Sequence, residues 1–362
     1  MEFITDSNMK RIAIFLAMAV IASACRDNYR PLPRAEAPEI LRNAFEQYLQ
    51  DVQERDVNMH SIMVLQHGNV LLEKQFAPDT AHIMMSVSKT FTSTAVGFAI
   101  SEGLLSLDER IVDIFPGQVP PDPQPWLGDM TIRHLLTMNS GHGTDPTNGV
   151  WKWDRGDLVK DDWVEFFMQW PIEYEPGSCY CYNSLGTYVL SAAVQKLSGQ
   201  KVVDYLEKRL WEPLGIEKPR WDESPSGVNY GGWGLYLHTE DMARMGQCLL
   251  QGGVFNGRQV IPADWVREMS ARQVDCVFAG TNSIKAAEAG IDPSGNDWMQ
   301  GYGYQMWRCT HGAFRADGAF GQYIIVMPDQ DAVVVTTAGV KSMAEELYLI
   351  WKNIYPALDE LK

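Results

Sequence analysis

Strand-like segments of this chain cluster near its two ends, and this separation limits the folds it can adopt. Two strand-like runs at residues 61–66 and 70–75 are joined by His67-Gly68-Asn69, which is typical of a hairpin turn. Three further strand-like runs lie far downstream, at residues 302–307, 322–327 and 332–337. Strands divided in this way around a long insertion predict an α+β fold with one five-stranded antiparallel sheet, rather than a parallel doubly wound fold.

Helices are predicted on both sides of that sheet. Residues 39–55 and 343–354 have apolar side chains at helical spacing. Between the two groups of strands, residues 106–233 are rich in proline and tryptophan and contain only short helix-like pieces. We therefore predict an α/β domain formed by residues 39–105 and 234–362, with residues 106–233 inserted as a helical subdomain. A chain of 362 residues with 46% hydrophobic residues can bury a sizeable core.

Residues 1–24 have the composition of an export signal. Two basic residues precede a short apolar run that ends in Ala22-Ser23-Ala24, and Cys25 follows directly. The run is shorter than the roughly 20 residues of a membrane-spanning helix. Small residues followed by cysteine are typical of a bacterial lipoprotein signal, so we expect lipidation of Cys25. Residues 25–38 are then a tether, and the protein is predicted to be periplasmic and lipid-anchored to a bacterial membrane.

Charge and cysteine spacing exclude several classes of function. The formal net charge is -16, whereas nucleic-acid binding requires clustered lysine and arginine, so we expect no nucleic-acid partner. Cys179-x-Cys181 lacks the second half of a metal-ligand motif, and no metal is predicted. An exported protein can form disulfides, and Cys276 with Cys309 is the first pairing to test.

The stretch Ser86-Val87-Ser88-Lys89 places a nucleophile and a base on one helical turn. A helix-like run over residues 90–100 follows, so Ser86 lies at or near a helix N-terminus, and residues three apart share a helix face. A serine hydroxyl becomes a good nucleophile when a neighbour takes its proton, and a buried lysine with a lowered pKa can be that neighbour. A helix cap at Ser86 would explain the same residues without catalysis.

A tyrosine in the helical region is the second candidate. The loop Glu175-Pro176-Gly177 leads through Tyr180 to Tyr182, and Asn183 and Ser184 precede a helix. A phenol there can act as an acid or base if the nearby lysine charge lowers its pKa. Tyr180 is a rival for this role, and packing in the core is the ordinary use of such a tyrosine. The polar pair that follows favours Tyr182.

A glycine-containing stretch before a strand is the third candidate. Asp317-Gly318-Ala319 is followed by Gly321, and glycine lets a substrate approach the backbone closely. A backbone N–H here, paired with that of Ser86, can stabilise an oxyanion. Taken alone, this stretch is more simply a turn between two strands.

Together the three motifs resemble those of the serine β-lactamase and penicillin-recognising family, in its class C-like branch. That branch also holds family VIII carboxylesterases and 6-aminohexanoate-dimer hydrolases. Two further segments, residues 131–141 and 234–244, are also typical of the family, and the resemblance covers about residues 36–360. The resemblance implies a β-lactamase/transpeptidase-like fold.

The resemblance also implies a role for each motif residue. Ser86 attacks an acyl carbon, Lys89 and Tyr182 share the proton transfers, and Tyr182 activates the water that releases the acyl group. The backbone N–H groups of Ser86 and Ala319 form the oxyanion hole. The positions implied to bind substrate are Ser184, Asp317 and Gly318. No cofactor is needed, and the expected partner is a small-molecule ester or amide substrate, while the oligomeric state stays open.

The chain departs from the family pattern at two places. The family's Tyr-x-Asn motif has its amide two residues after the tyrosine, but Ser184 occupies that position here and Asn183 precedes it. The usual Lys-Thr-Gly or His-Thr-Gly triplet is replaced by Ala316-Asp317-Gly318. That change removes a cation and a hydroxyl and adds a carboxylate that would repel a β-lactam carboxylate, with Arg315 as the one substitute cation to consider.

These departures lead us to expect weak or absent β-lactamase activity. We predict a serine hydrolase of the carboxylesterase or amidase type that acts through an acyl-enzyme. The alternative is a non-catalytic or weakly active penicillin-binding-like protein that binds peptidoglycan or peptides.

Overall fold

The computed structural model describes residues 30–152, 157–158, 162–276 and 295–362. The predicted signal and Cys25 lie outside the described residues. In these ranges no helix is both long and apolar enough to cross a membrane.

The centre of the fold is an antiparallel sheet, which in the described residues has six strands in the order β2-β1-β6-β5-β4-β3. These strands are β1 (Met59–Gln66), β2 (Asn69–Gln75), β3 (Trp307–Arg308), β4 (Phe314–Gly318), β5 (Gln322–Met327) and β6 (Ala332–Ala338). Met63 of β1 pairs with Val335 of β6, so the two distant groups of strands meet inside one sheet. The α+β antiparallel prediction is confirmed, but the predicted count of five strands is wrong.

The difference in strand count lies at the β3–β4 edge. Strand β4 was missed because Arg315 and Asp317 make it look polar, yet both side chains are buried and paired with each other. The strand predicted at residues 302–307 exists only from Trp307 onward. Gln305 has a φ of 65°, a left-handed conformation that interrupts an extended strand.

Five helices in the described residues organise the packing around the sheet: α1 (Glu39–Glu54), α2 (Ser88–Ser101), α3 (Ser184–Ser198), α4 (Thr239–Leu250) and α5 (Met343–Leu349). Further α-helical segments are Ile111–Ile114, Ile132–Leu136, Thr147–Val150, Trp163–Gln169, Val202–Tyr205, Glu212–Leu214, Ala263–Ser270 and Tyr355–Glu360. Short paired strands are His82–Ile83 with Tyr236–Leu237, Trp151–Lys152 with Asp157–Leu158, and Val254–Phe255 with Arg258–Gln259.

Both faces of the sheet are covered, because side chains alternate between them along each strand. Ile62 and Val64 belong to the core shared with α1 and α5. Met63 and Leu65 belong to the core shared with α2 and α4. Helix α2 is buried along almost its whole length and contacts α3. Its short side chains allow this close packing, and the nucleophile turn before it therefore lies between the sheet and the helical region.

The disulfide suggested between Cys276 and Cys309 is wrong. Both residues are buried free thiols. The Cys276 thiol donates to the carbonyl of Trp298 at 3.5 Å, whereas the Cys309 sulfur accepts a hydrogen bond from Arg315 at 3.1 Å. Each sulfur therefore has its own polar partner.

Candidate active site

Ser86 lies in a tight turn that leads into helix α2. Its neighbour Met85 has a φ of 45°, a left-handed conformation that costs a non-glycine residue roughly 1–2 kcal/mol. The turn is held in place from both sides: the N–H of Met84 donates to the carbonyl of Leu235 at 2.7 Å, and the hydroxyl of Ser88 donates to the carbonyl of Met85 at 2.7 Å. Ser86 itself is only partly buried, so its hydroxyl is presented on a fixed backbone.

Lys89 lies directly beneath this hydroxyl. Its Nζ donates to Ser86 Oγ, to Ser184 Oγ and to the carbonyl of Gly232, each at 2.9 Å. The side chain is 1% exposed. Burial lowers the pKa of Lys89 from 10.5 to about 7, against the opposing effect of two nearby carboxylates. A sizeable fraction of Lys89 is therefore a free amine at neutral pH, within reach of the Ser86 proton.

Tyr182 also reaches Ser86. Its hydroxyl forms a hydrogen bond with the Ser86 side chain. Its ring stacks on Trp307 with centroids 5.6 Å apart, and Lys89 Nζ lies 4.8 Å from the ring centroid. The predicted convergence of Ser86, Lys89 and Tyr182 is thus present in the structure.

The prediction that Lys89 lowers the pKa of Tyr182 is wrong. Burial raises the pKa of this phenol well above its ordinary value, and the negative charges of Asp317 and Asp145 raise it further. The hydrogen bond with Ser86 lowers the pKa, but burial outweighs it. Tyr182 is therefore a neutral hydroxyl that can donate or relay a proton, and Lys89 is the better base.

Tyr180, the rival candidate, belongs to the core instead. It is 1% exposed and packs against Tyr302 and Trp307, with ring centroids 5.7 and 6.2 Å away. Burial raises the pKa of the Tyr180 phenol far above its ordinary value. The structure therefore favours Tyr182 over Tyr180 for the role beside Ser86.

Asn183 and Ser184, the two residues that depart from the family's Tyr-x-Asn motif, make different contacts. Asn183 caps helix α3, because its side-chain oxygen accepts the N–H of Gly186 at 2.6 Å, and its amide donates to Ser140 at 3.1 Å. Ser184 instead turns its hydroxyl to Lys89. Despite the departure from the family pattern, Lys89 thus still donates to an acceptor at this position, and the acceptor is a hydroxyl in place of an amide.

The third motif lies against the nucleophile turn. A Cβ on Gly318 would lie 2.4 Å from the carbonyl oxygen of Met84 and 3.3 Å from the Val87 side chain. Only glycine fits this approach, which brings the end of β4 beside the residues around Ser86. Ala319 follows as the first exposed residue of the turn between β4 and β5.

Asp317 has a different role from the substrate contact expected of it. Its carboxylate forms a buried ion pair with Arg315, with Oδ2 2.7 Å from Nη2 and 2.9 Å from Nε. The Arg315 guanidinium is fully buried and lies 4.7 Å from the Trp298 ring centroid. The substrate contact predicted for Asp317 stays a prediction, and it would be made by a carboxylate that is already paired with Arg315. Arg315 is equally occupied and does not replace the missing cation of the family triplet.

Two partners of the site were missed by the sequence reasoning. The Gly232 carbonyl, which accepts from Lys89, belongs to the pair Gly231-Gly232 near the end of the predicted helical subdomain. Asp145 acts on Lys89 through its charge and carries no local motif. Both residues lie more than 50 positions from Lys89 in the chain, and sequence spacing alone does not reveal an interaction over such separations.

Comparison with known proteins identifies the family. A family model described as Beta-lactamase matches residues 41–351. The chain belongs to the beta-lactamase family. It is 27% identical over 323 residues to the 6-aminohexanoate-dimer hydrolase of Paenarthrobacter ureafaciens, covering 84% of this chain and 79% of that one. It is also 27% identical over 180 residues to Esterase EstB of Burkholderia gladioli, covering 42% and 44%.

The fold has a solved counterpart in a penicillin-binding protein homologue from Caulobacter crescentus. That structure has a TM-score of 0.68 and 15% identity, and the match covers 89% of this chain and 99% of the other. The beta-lactamase family member described here therefore has a hydrolase and an esterase among its relatives, which confirms the resemblance drawn from the motifs.

Proposed function

We propose that this beta-lactamase family protein is a serine hydrolase that cleaves an ester or amide bond through an acyl-enzyme. The observation that carries the proposal is the 2.9 Å contact between Lys89 Nζ and Ser86 Oγ, at a lysine whose pKa lies at about 7. A general base works best when its pKa is close to the working pH. Relatives named as a hydrolase and an esterase support the same reaction class.

In the acylation step, Ser86 Oγ bonds to the carbonyl carbon and its proton passes to the free amine of Lys89. The Tyr182 phenol, kept neutral by burial, donates its proton to the departing oxygen or nitrogen, and the ammonium of Lys89 returns a proton to Tyr182. The bond between the carbonyl carbon and the leaving group then breaks. In the second step, water attacks the acyl carbon and gives a proton to the Lys89–Tyr182 pair. The bond between the acyl carbon and Ser86 Oγ then breaks, and the pair returns that proton to Ser86 Oγ.

The oxyanion formed in both steps is assigned to the backbone N–H groups of Ser86 and Ala319. The close contact of Gly318 with the Met84 carbonyl supports this assignment, because it brings β4 against the nucleophile turn. Fixed backbone donors of this kind typically contribute about 3–4 kcal/mol each to transition-state stabilisation. A tight turn that sets both donors before substrate arrives is what such a site requires.

The proposed substrates are esters or amides rather than β-lactams. The triplet Ala316-Asp317-Gly318 contains no cationic side chain, and the neighbouring Arg315 is paired with Asp317. A β-lactam carboxylate would therefore lack the partner it finds elsewhere in the family. Ser184 remains a proposed site residue because its hydroxyl contacts Lys89. Gly318 remains one because it lies close to the turn that carries Ser86.

A substrate panel tests the proposal. Purified protein is assayed with p-nitrophenyl butyrate, linear amides, D-amino-acid peptides and nitrocefin, and then with the Ser86→Ala variant. We expect Ser86-dependent turnover of an ester or amide and little turnover of nitrocefin. Ser93→Ala is the matched control, since this serine lies buried on helix α2, which follows the Ser86 turn, and its hydroxyl has no partner among the described residues.

The alternative protein, which binds peptidoglycan or peptides without chemistry, predicts a different result. It would give binding that survives Ser86→Ala and no turnover of any compound in the panel. That outcome would reject the hydrolase proposal.

We further propose that the chain is exported and lipid-anchored through Cys25. The support is the sequence alone: an apolar run and three small residues before the cysteine. Expression with a radiolabelled fatty acid should label the wild-type protein and leave the Cys25→Ser variant unlabelled. Equal labelling of both would contradict the proposal.

A further inference from the structure

The carboxylates that act on Lys89 fall into two classes. Asp317 is compensated by its buried ion pair with Arg315. Asp145 also acts on Lys89, but its hydrogen-bond donors in the described residues are neutral. They are the Thr147 N–H at 2.9 Å, the Thr147 hydroxyl at 2.5 Å and the backbone N–H of Ser184.

Asp145 is also built into the start of helix α3. It accepts the N–H of Ser184, and Thr147, which it holds, accepts the N–H of Leu185 at 2.8 Å. A carboxylate at a helix N-terminus satisfies backbone donors and interacts favourably with the helix dipole. The same Ser184 turns its hydroxyl to Lys89, so one residue connects Asp145 to the catalytic lysine.

We propose that Asp145 is a positioning residue for acylation, which holds the start of α3 against Lys89 and supplies the uncompensated negative charge that this lysine faces. The inference rests on the proposed function, since it assigns Asp145 a part in the proton transfer between Ser86 and Lys89. It adds a residue that neither the motifs nor the family resemblance include.

The charged groups around Lys89 determine the expected pH dependence. Asp145 acts on it from the loop before the short helix Thr147–Val150, and Asp317 acts on it from β4 with Arg315 beside it. Burial raises the pKa of the Asp145 carboxyl, while its hydrogen bonds with Thr147 and Ser184 and the charge of Lys89 lower it. Tyr182 is neutral because burial raises its pKa. Removing the charge of Asp145 removes a stabilising partner of the ammonium, so the pKa of Lys89 falls further. The free amine then persists to lower pH.

The first experiment compares wild type with Asp145→Asn, which keeps a side-chain acceptor for the α3 backbone. The value of kcat/KM for p-nitrophenyl butyrate is measured from acidic to alkaline pH. We expect the midpoint of the acidic limb to move to lower pH by about one unit. Asp145→Glu, which restores the charge, should return the midpoint toward that of the wild type. An unchanged midpoint in Asp145→Asn would overturn the proposal.

Asp162→Asn is the matched control. Asp162 also sits at a helix start, where it accepts the N–H of Val164 at 2.8 Å, and it is not among the charges that shift Lys89. This variant should lower stability without moving the midpoint, and an equal shift in it would overturn the assignment to Asp145. If Asp145→Asn does not fold, Asp145→Ser makes the same test, because serine is also accepted at helix starts.

A second readout separates this inference from the proposed function. NMR of protein labelled with 13C at the lysine ε-carbon, assigned with Lys89→Met, follows the Lys89 titration without any substrate. If the wild type shows no turnover but the Lys89 midpoint falls in Asp145→Asn, the proposed function fails and the role of Asp145 in setting Lys89 stands. If the wild type is active and the midpoint does not move, the Asp145 inference alone fails.

Discussion

Replacing Lys89 with methionine is expected to stabilise the fold while it abolishes hydrolysis. Lys89 is 1% exposed, and its pKa in the folded protein is about 7, against an ordinary value of 10.5. At pH values between about 7 and 10.5, this lysine is therefore mostly protonated in the unfolded chain and mostly neutral in the folded chain. By linkage, this lysine opposes folding at low pH, and its contribution to stability rises with pH across that window.

The magnitude follows from the two pKa values. With about 1.36 kcal/mol per pH unit, the penalty for Lys89 is about 4 kcal/mol at pH 7 and about 1 kcal/mol at pH 10. Methionine removes this penalty but leaves the Gly232 carbonyl without its donor, which costs about 1–3 kcal/mol. Lys89→Met should therefore be about 1–3 kcal/mol more stable than wild type at pH 7, and the difference should fall by about 3 kcal/mol toward pH 10.

Urea unfolding at pH 7 and pH 10, followed by tryptophan fluorescence, measures this difference. Groups that do not interact with Lys89 titrate alike in both proteins, so the comparison reports on Lys89 and on the two carboxylates it acts on, Asp145 and Asp317. Lys201→Met is the control: this lysine pairs with Glu223 at the surface, and such pairs contribute about 0–1 kcal/mol. If Lys89→Met were less stable than wild type by the same amount at both pH values, Lys89 would be charged in the folded protein and could not serve as the base.

Three further substitutions test the structural parts of the site by urea unfolding. Asn183→Ala removes the cap of α3 and should lower the free energy of unfolding by about 1–2 kcal/mol. Gly321→Ala should lower it by at least about 2 kcal/mol, because φ there is 93° and a Cβ would lie 2.0 Å from Glu346 Oε2. Arg315→Met leaves the buried Asp317 carboxylate without its partner and should cost about 3–5 kcal/mol.

Matched variants give these three predictions their controls. Gly68 has a similar φ of 75°, but a Cβ there would meet no other atom within 4 Å, so Gly68→Ala should cost only the backbone strain of about 1 kcal/mol. If it cost as much as Gly321→Ala, the contact with Glu346 would not be the cause. Adding Asp317→Leu to Arg315→Met should recover stability, and Ser140→Ala, which leaves the α3 cap intact, should cost less than Asn183→Ala. The opposite order in either case would contradict the assignment.

The fold could be predicted from the sequence where local patterns carry the information. Strands β1, β5 and β6 are apolar runs bounded by turns, because the sheet is covered on both faces and these strands need apolar side chains on both sides. Strand β2 at the sheet edge is recognised from the turn that joins it to β1. Strand β4 has no such pattern, because Arg315 and Asp317 satisfy each other inside the protein. A buried ion pair looks like a surface segment when its two members are judged separately.

The site residues also fall into two groups: those that a local sequence pattern predicts and those that only the tertiary fold brings together. Ser86 and Lys89 are three residues apart across the start of helix α2, and this local spacing brings their side chains together. The roles of Asn183 and Ser184 depend on the residue at which helix α3 begins. If the helix began one residue later, Ser184 would be the cap in place of Asn183 and would no longer contact Lys89 in the same way. The raised pKa of Tyr182 depends on burial by distant residues such as Trp307, and Asp145 meets Lys89 only through the tertiary fold.

The central claim is that Ser86 becomes covalently acylated during turnover. Rapid quenching of the protein with p-nitrophenyl butyrate, followed by proteolysis and mass spectrometry, tests it most directly. We predict a mass increase of one butyryl group on the peptide that contains Ser86, and no such increase in Lys89→Met. Turnover without any acylated Ser86, or an acyl group on a different residue, would contradict this account.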